Sequence, residues 1–320
     1  MKAFSRHRFG SPDLLRLDDL DKPAVTEEQA LVRVHASSIN AHDWHMLRGK
    51  PYLARLSEGF RAPKTREIGL DVAGVVEAVG SQVTHVKPGD RVFGSRFGAF
   101  AEYVSGKNMV PMPDGLSFEQ AAAVPVAATT ALQAVRDKGG IEPGHHVLVN
   151  GAGGGVGSFA VQIAKALGAT VTGVCSTQNV ELVRGIGADT VVDYTEDDFT
   201  SATARFDLIV DSVGNRPLGA CRRALTPNGR YVSVGSATMG DWVGPLTHLL
   251  KVRLAGVGRS QTMSSMLATT KLADLEYLSG LLERGAVKPV VGRTYDLADV
   301  AEAITYVEGG HARGKVVIRI

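Results

Sequence analysis

The stretch Val147-Leu148-Val149-Asn150-Gly151-Ala152-Gly153-Gly154-Gly155-Val156-Gly157 decides how this chain is read. A short apolar run of this kind makes a buried strand, and here it ends abruptly in glycines. Apolar residues then recur at helical spacing through Phe159, Ala160, Ile163 and Ala164, so a helix is predicted over Val156–Leu167. A second strand, Thr170–Val174, follows it. Strand, glycine turn, helix and strand together form the arrangement that receives a dinucleotide pyrophosphate. Gly153 and Gly154 are expected to turn the backbone and let it approach the phosphates without an intervening Cβ. Gly155 and Val156 belong to the first turn of the helix, whose positive end attracts anions. Gly157 is expected to let the helix pack closely on the strand.

Outward from this motif the rhythm of strand and helix continues. Further strands are predicted at Thr190–Asp193, Asp207–Asp211, Arg230–Val234 and Val252–Val257, with helices at Val180–Ile186 and Leu218–Leu225. Such alternation builds a doubly wound parallel sheet. The chain before this region reads differently. Ala30-Leu31-Val32-Arg33-Val34-His35-Ala36 alternates with period two, and Asp71–Val79, Arg91–Gly94 and Phe100–Val104 read as further strands. This half is expected to be a partly closed β-structure. Ser117 and Gln120 fit a capping box that opens an alanine-rich helix, interrupted near Pro125. Toward the C-terminus a helix is predicted over Leu267–Arg284, a second over Leu297–Glu308, and a strand over Val316–Ile320.

Composition excludes several classes. Hydrophobic residues make up 44% and charged residues 21% of 320, which rules out disorder of the whole chain. The 35 basic and 33 acidic side chains leave +2, without a long basic run, so neither nucleic acid nor an anionic membrane is an expected partner. The two cysteines, Cys175 and Cys221, are too few for a disulfide scaffold or a cysteine-rich zinc site. No stretch is long and apolar enough for a membrane span, and a cytoplasmic location is expected.

The second strand of the dinucleotide motif carries the choice of nucleotide. Sites for NAD place an acid at its end, to accept from the ribose 2′-hydroxyl. Here the strand runs out as Val174-Cys175-Ser176-Thr177-Gln178-Asn179, with no carboxylate before Glu181. Ser176, Thr177 and, after the third strand, Tyr194 offer hydroxyls instead, which favours NADP(H). Ser176 and Thr177 also suit simple helix capping.

Several separate segments, in order, resemble the zinc-independent quinone oxidoreductases of the medium-chain dehydrogenase/reductase superfamily. They are Ser37–Asp43, Gly69–Val76, Val86–Val92, Gly151–Gly157, Gly187–Tyr194 and Ala312–Val317. The resemblance implies a GroES-like partly closed barrel over residues 1–122 and 264–320, with a Rossmann domain over 123–263 inserted into it. It also implies a cofactor lying between the two. The zinc alcohol dehydrogenase branch has a catalytic cysteine where this chain has Asn40 and a Gly-His-Glu where it has Gly69-Leu70-Asp71. Its cysteine-rich structural lobe has no counterpart here, so no bound metal is expected. His42 and His45 are read as loop or helix-surface residues.

A nicotinamide hydride needs an electrophilic carbon held close and aligned. Quinones and conjugated enones accept it without a Lewis acid, whereas an isolated ketone usually needs one. The resemblance places Asn40 beside the nicotinamide and Thr130 in contact with it. Tyr52 is a candidate donor to the acceptor oxygen. Asp43 is read as support for Asn40. Gly235 and Ser236 follow the fifth Rossmann strand, where such folds meet their ligand. Lys315 is expected either to reach the cofactor or to be solvated. Gln178, standing where the family often has a basic residue, weakens a 2′-phosphate clamp, and Arg184 is the residue that would compensate. The expected activity is an NADPH-dependent reduction of quinones or α,β-unsaturated carbonyls. A 2-enoyl thioester reductase and a non-catalytic NADPH-binding protein are the alternatives. A homodimer is expected through the Rossmann edge strand, taken as Val252–Val257.

Overall fold

The computed structural model of the chain describes residues 1–201, 205–235, 244–256, 258 and 260–320. They form two compact units. The first comprises Met1–Thr129, Thr270–Glu283 and Pro289–Ile320, and the second Thr130–Thr269 and Arg284–Lys288.

The second unit is built on a six-stranded sheet. Its order is Thr190–Asp193, Thr170–Cys175, His146–Asn150, Phe206–Asp211, Leu225–Ser233 and Thr262–Ser265. Every pairing is parallel. The chain starts at the centre, steps outward twice, and returns to the other side of His146–Asn150. That reversal creates a switch point between His146–Asn150 and Phe206–Asp211, where loops diverge above and below the sheet. The helix Gly155–Ala166 is buried along Gly157–Ala164, since its inner face must cover an apolar sheet. On the other side Leu148, Ile209, Phe206, Tyr231, Cys221 and Val252 form one core.

One predicted strand is corrected here. Val252–Ala255 ends the helix Gly244–Ala255, and Val257 lies outside the described residues. Val252 is buried whereas Leu250 and Leu254 are 58% and 61% exposed. In a strand, residues two apart share a face; on a helix they lie far round from one another, and burial follows the helical rule. Short apolar runs do not distinguish the two periods. The sixth strand is instead the mostly polar Thr262-Met263-Ser264-Ser265, in which only Met263 is buried.

The first unit carries a seven-stranded sheet. The ten-residue strand Ala30–Ile39 organises it. One edge pairs antiparallel with Asp71–Val79. The other edge is shared, Ala30–Arg33 bonding Tyr103–Gly106 and Ala36–Ile39 bonding Lys315–Arg319. Phe100 lies outside that strand, which begins at Tyr103. Arg91–Ser95, Met109–Pro111 and Val291–Asp296 complete the sheet. Its interior is filled by Val32, Val34, Val72, Val76, Val92 and Val104. The Ser117–Gln120 capping box is present, with Gln120 N donating to Ser117 Oγ (3.2 Å) and Ser117 N to Gln120 Oε1 (3.0 Å). It opens the short helix Phe118–Ala122, and a second helix starts at Pro125, the position a proline suits. The later helix begins at Leu272 and not at Leu267. Among the described residues no helix is long and apolar enough to cross a membrane.

Candidate functional site

Strand register in the first unit gathers a buried polar cluster. Val316 pairs with Ile39, which sets Lys315 opposite Asn40, just past the strand end. Ala36 pairs with Ala73, which brings Ser38 opposite Asp71. Asp71 is fully buried, Lys315 is 3% exposed and Asn40 8%. The Asp71 carboxylate accepts from Asn40 Nδ2 (2.8 Å), Ser38 Oγ (2.5 Å) and Lys315 Nζ (3.3 Å) through Oδ2. Through Oδ1 it accepts from the backbone N–H of Val126 (2.8 Å), in the first turn of Pro125–Leu132. That helix end adds favourable positive potential to the carboxylate. Lys315 Nζ also donates to Asn40 Oδ1 (2.6 Å) and to the Ile39 carbonyl (3.0 Å). An ammonium has three protons, and each here has an acceptor. Lys315 is therefore not solvated, and its three protons are accepted within the first unit. Its charge is spent inside the first unit, on Asn40 and Asp71.

Asp43 lies beneath this cluster in the helix Ala41–Arg48. Its Oδ2 accepts from the Asn40 backbone N–H at 2.7 Å, so it does support Asn40. Burial first, and then the neighbouring Asp71 charge, push its carboxyl up to about 7, against the pull of the Asn40 N–H and of Lys315. The chemistry that a neutral-pH proton would add was invisible in sequence, because it depends on burial and on a partner carboxylate distant in the chain.

Tyr52, His42 and His45 are further candidates of the first unit, and Thr130 opens the second. Tyr52 sits in the short helical turn Tyr52–Ala54, with the Arg55 guanidinium 4.8 Å from its ring centre. None of the bonds that tie Asn40, Asp71 and Lys315 together involves it. His42 points its ring at Phe97, 5.6 Å away, and His45 stacks on Trp44 at 3.5 Å, so the two do not converge. Among the described residues no group of three His, Cys, Asp or Glu side chains could hold a metal ion. Thr130 is buried, and its neighbour Thr129 has a buried hydroxyl without a hydrogen-bond partner.

In the second unit the glycine motif divides into two faces. The left-handed turn falls on Gly151 (φ 87°), not on Gly153 or Gly154. Gly153 is buried, and a Cβ there would lie 2.9 Å from Asn179 Cβ. Gly154 is the N-cap of Gly155–Ala166, extended (φ −85°, ψ 179°) and without a side chain to cap the helix. Gly154, Gly155 and Val156 are partly exposed, whereas Gly157 is buried. The first N–H groups of a helix have no intrahelical acceptor, and no side chain caps them here, a geometry that suits an anion. Two more polar atoms at the carboxyl ends of the strands, Asn179 Oδ1 and Ser212 Oγ, are buried without a partner. An open helix start and unpartnered buried polar atoms along one sheet edge fit a nucleotide with phosphates and hydroxyls.

Parallel pairing of Asp193 with Cys175 brings Tyr194 beside Ser176 and Thr177. Ser176 Oγ accepts from Asn179 Nδ2 (3.2 Å), Thr177 Oγ1 lies 3.1 Å from Thr195 Oγ1, and Tyr194 is 43% exposed. The same pairing reveals a carboxylate, Asp193, at this corner. Its Oδ1 accepts from Thr195 N (3.0 Å) and Thr195 Oγ1 (2.8 Å). Hydrogen bonds, first from Thr177 and then from Thr195, hold it below the usual carboxylate range. Gln178 is exposed, and Arg184 is paired with Glu181 at 2.7 Å. Across the switch point, Asp211 ties the strand ends. It accepts from Asn150 Nδ2 (2.9 Å), Tyr231 OH (2.7 Å) and the N–H groups of Val213 (3.0 Å) and Gly214 (2.8 Å). Gly235 stands next to Ser212, where a Cβ would lie 3.0 Å from the Ser212 carbonyl oxygen. Ser236 lies outside the described residues.

Asp71, Asn179, Ser212 and Asp211 were not singled out from sequence. The only signal was Asp71's place after Gly69-Leu70, and nothing local marks the other three.

A parallel sheet with this strand order and an uncapped, glycine-rich helix start at its centre defines the dinucleotide-binding class of doubly wound folds. Known proteins agree. A family model described as an alcohol dehydrogenase GroES-like domain matches residues 26–114, and one described as a zinc-binding dehydrogenase matches residues 186–318. The quinone oxidoreductase of Homo sapiens is 32% identical, covering 99% of this chain and 97% of that protein. The 2-methylene-furan-3-one reductase of Solanum lycopersicum is 33% identical, covering 99% of this chain and 79% of that protein. The Escherichia coli quinone oxidoreductase, solved in complex with NADPH, superposes with a TM-score of 0.82 at 26% identity over 100% of both chains. The chain belongs to the medium-chain dehydrogenase/reductase superfamily, among its quinone oxidoreductase-like members.

Proposed function

We propose that this protein is an NADPH-dependent reductase of quinones or α,β-unsaturated carbonyls that works without zinc. The observation that carries the reading is the Lys315 ammonium 2.6 Å from Asn40 Oδ1. By the family resemblance, Asn40 and Leu70 stand where zinc relatives hold ligands. Leu70 has no donor atom, and the Asn40 oxygen is already engaged by a cation. A Zn²⁺ ion wants about four N, S or O donors, and beside a buried ammonium it would also meet like-charge repulsion. The residues present therefore do not fit zinc, despite the description of one matching family model.

They do fit a nicotinamide dinucleotide. Gly154, Gly155 and Val156 would seat the pyrophosphate, and Ser176, Thr177 and Tyr194 would meet the 2′-phosphate. Asn179, Ser212, Gly235 and Thr130 would line the rest. When bound, the nicotinamide supplies the hydride. Without a Lewis acid the acceptor must be electrophilic in itself, which selects conjugated systems over isolated ketones. Asn40 orients, and Asp43 holds a proton near neutrality beneath it. The names of the human and tomato relatives, a quinone and a methylene-furanone reductase, support the same substrate class.

The test is NADPH oxidation followed at 340 nm with 1,4-naphthoquinone, 1-octen-3-one, crotonyl-CoA and cyclohexanone. Turnover of the first two, unaffected by chelator, is expected. Turnover of cyclohexanone that a chelator abolishes would overturn the proposal. Crotonyl-CoA as the preferred substrate would favour an enoyl thioester reductase instead.

A further inference from the structure

We propose that Asp71 and Lys315 are positioning residues that lock the Asn40 amide in one orientation and hold one cluster of charge beneath it. The proposal rests on the reading of Asn40 as a residue of the reaction site, and goes beyond it by naming what sets that side chain.

The argument is one of donors and acceptors. A carboxylate only accepts and an ammonium only donates. Asn40 presents Nδ2 to Asp71 Oδ2 at 2.8 Å and Oδ1 to Lys315 Nζ at 2.6 Å. Turning the amide over would set its NH₂ against the ammonium and its oxygen against the carboxylate, losing two charge-assisted bonds and gaining two repulsions. One orientation alone is therefore allowed. The Asn40 atoms that remain for a ligand are one lone pair on Oδ1 and the second Nδ2 proton, which has only a long 3.4 Å contact to the Ser38 carbonyl. Asp71 is itself held by Ser38 Oγ and the Val126 N–H, and Lys315 by the Ile39 carbonyl. The clamp is thus anchored on three strand ends and one helix start. A side chain that merely filled space here would not need a buried ion pair, since such pairs rarely stabilise more than apolar packing of the same volume.

The same pair bears on Asp43 from two elements. The charged side chains acting on it are Asp71, from the strand Asp71–Val79, and Lys315, from Lys315–Arg319, and they act in opposite senses. A positioning role therefore predicts a signature that simple loss of packing would not leave. Neutralising Asp71 should lower the midpoint of Asp43, and neutralising Lys315 should raise it.

The experiment uses the full-length protein as Asp71→Asn, Lys315→Met and Lys315→Arg. NADPH binding is titrated by fluorescence, kcat is measured with 1,4-naphthoquinone, and the Asp43 carboxyl is titrated by ¹³C NMR. The expected result for Lys315→Met is an NADPH Kd within about threefold of wild type and a kcat lower by roughly ten- to a hundredfold. Its Asp43 midpoint should rise by about a unit, and that of Asp71→Asn should fall by about a unit. Lys315→Arg, which keeps the charge, should leave the Asp43 midpoint near wild type. Should Lys315→Met fail to fold, the near-isosteric Asp71→Asn carries the same test through its own midpoint. NADPH binding weakened tenfold or more at unchanged kcat would make Lys315 a cofactor ligand and overturn the proposal. So would unmoved Asp43 midpoints in folded variants. Absence of quinone turnover in the wild-type protein would instead remove the proposed function, while the NMR titration would still decide the clamp.

Discussion

A Cβ on Gly157 would lie 2.1 Å from the carbonyl oxygen of Gly151, whereas a Cβ on Gly154 would meet the same oxygen at 3.4 Å. The first distance is impossible without moving backbone, and the second is ordinary contact. Gly157 therefore makes room for the protein, and Gly154 leaves the helix start open. Gly157→Val should cost about 1–3 kcal/mol or more through overpacking. In a unit of this size that lowers Tm by roughly 2–4 °C per kcal/mol. Gly154→Val should melt near wild type, since its backbone angles suit any residue, yet bind NADPH orders of magnitude more weakly. Melts and NADPH titrations of both variants check this. A Gly154→Val protein that binds normally would refute the assigned phosphate seat.

Preference for NADPH is expected, but Asp193 should limit it. Ser176→Ala and Tyr194→Phe should each weaken NADPH roughly tenfold if they lose a charge-assisted bond, with NADH little changed. Asp193→Asn keeps an acceptor for the Thr195 N–H while removing a charge beside Thr177. Its effect should be a gain in NADPH affinity of roughly fivefold at most, the size of one exposed charge pair in water. The gain should shrink at high salt. Dissociation constants for both nucleotides, at two ionic strengths, decide it.

The parallel sheet was legible because its strands are apolar runs broken by glycine and proline, and in the first unit Ser117 and Gln120 announce a helix chemically. The edge was not. Thr262–Ser265 is nearly all polar, and the apolar Val252–Ala255 that resembled a strand finishes a helix. Among the candidate residues, Asn40 in the first unit and Gly154 and Ser176 in the second were picked out by motif position. Asp71 and Lys315, 244 residues apart, meet only through register across Ala30–Ile39, which no local pattern encodes. Asp193 was hidden for the same reason, reaching Thr177 by pairing of neighbouring strands.

Asp43 gives a pH prediction with a definite sign. Its carboxyl is raised from 3.8 to about 7 in the folded chain. Between these values the unfolded chain releases the proton while the folded chain keeps it. The contribution of Asp43 to stability therefore falls as pH rises through this window, by up to about 1.4 kcal/mol per pH unit, and levels off above pH ~7. Asp43→Asn still offers an oxygen to the Asn40 N–H and does not titrate. Its stability relative to wild type should be least favourable near pH 4 and improve steadily toward pH 7. Urea unfolding of both proteins across that range measures the difference. A difference independent of pH would mean that Asp43 titrates normally.

Self-association is expected through the sheet edge that the structure reveals. In the second unit the described strand order ends at Thr262–Ser265, which pairs on one side with Leu225–Ser233. Among the described residues no strand pairs with its other side, and edges left open invite pairing with a second chain. Two copies meeting along it would join their sheets across a two-fold axis, the commonest symmetry for such contacts. Light scattering at micromolar concentration should then give twice the chain mass of 33.8 kDa. The Met266 N–H points inward to the Ser233 carbonyl (3.1 Å), so the alternate Ser265 N–H faces the open side. Ser265→Pro removes that donor and should shift the population toward monomer, because proline is tolerated on an edge but cannot complete a ladder. Far-UV circular dichroism of the variant guards against simple unfolding. A wild-type monomer at those concentrations, or a dimer that Ser265→Pro leaves intact in a folded protein, would rule out this edge as the interface.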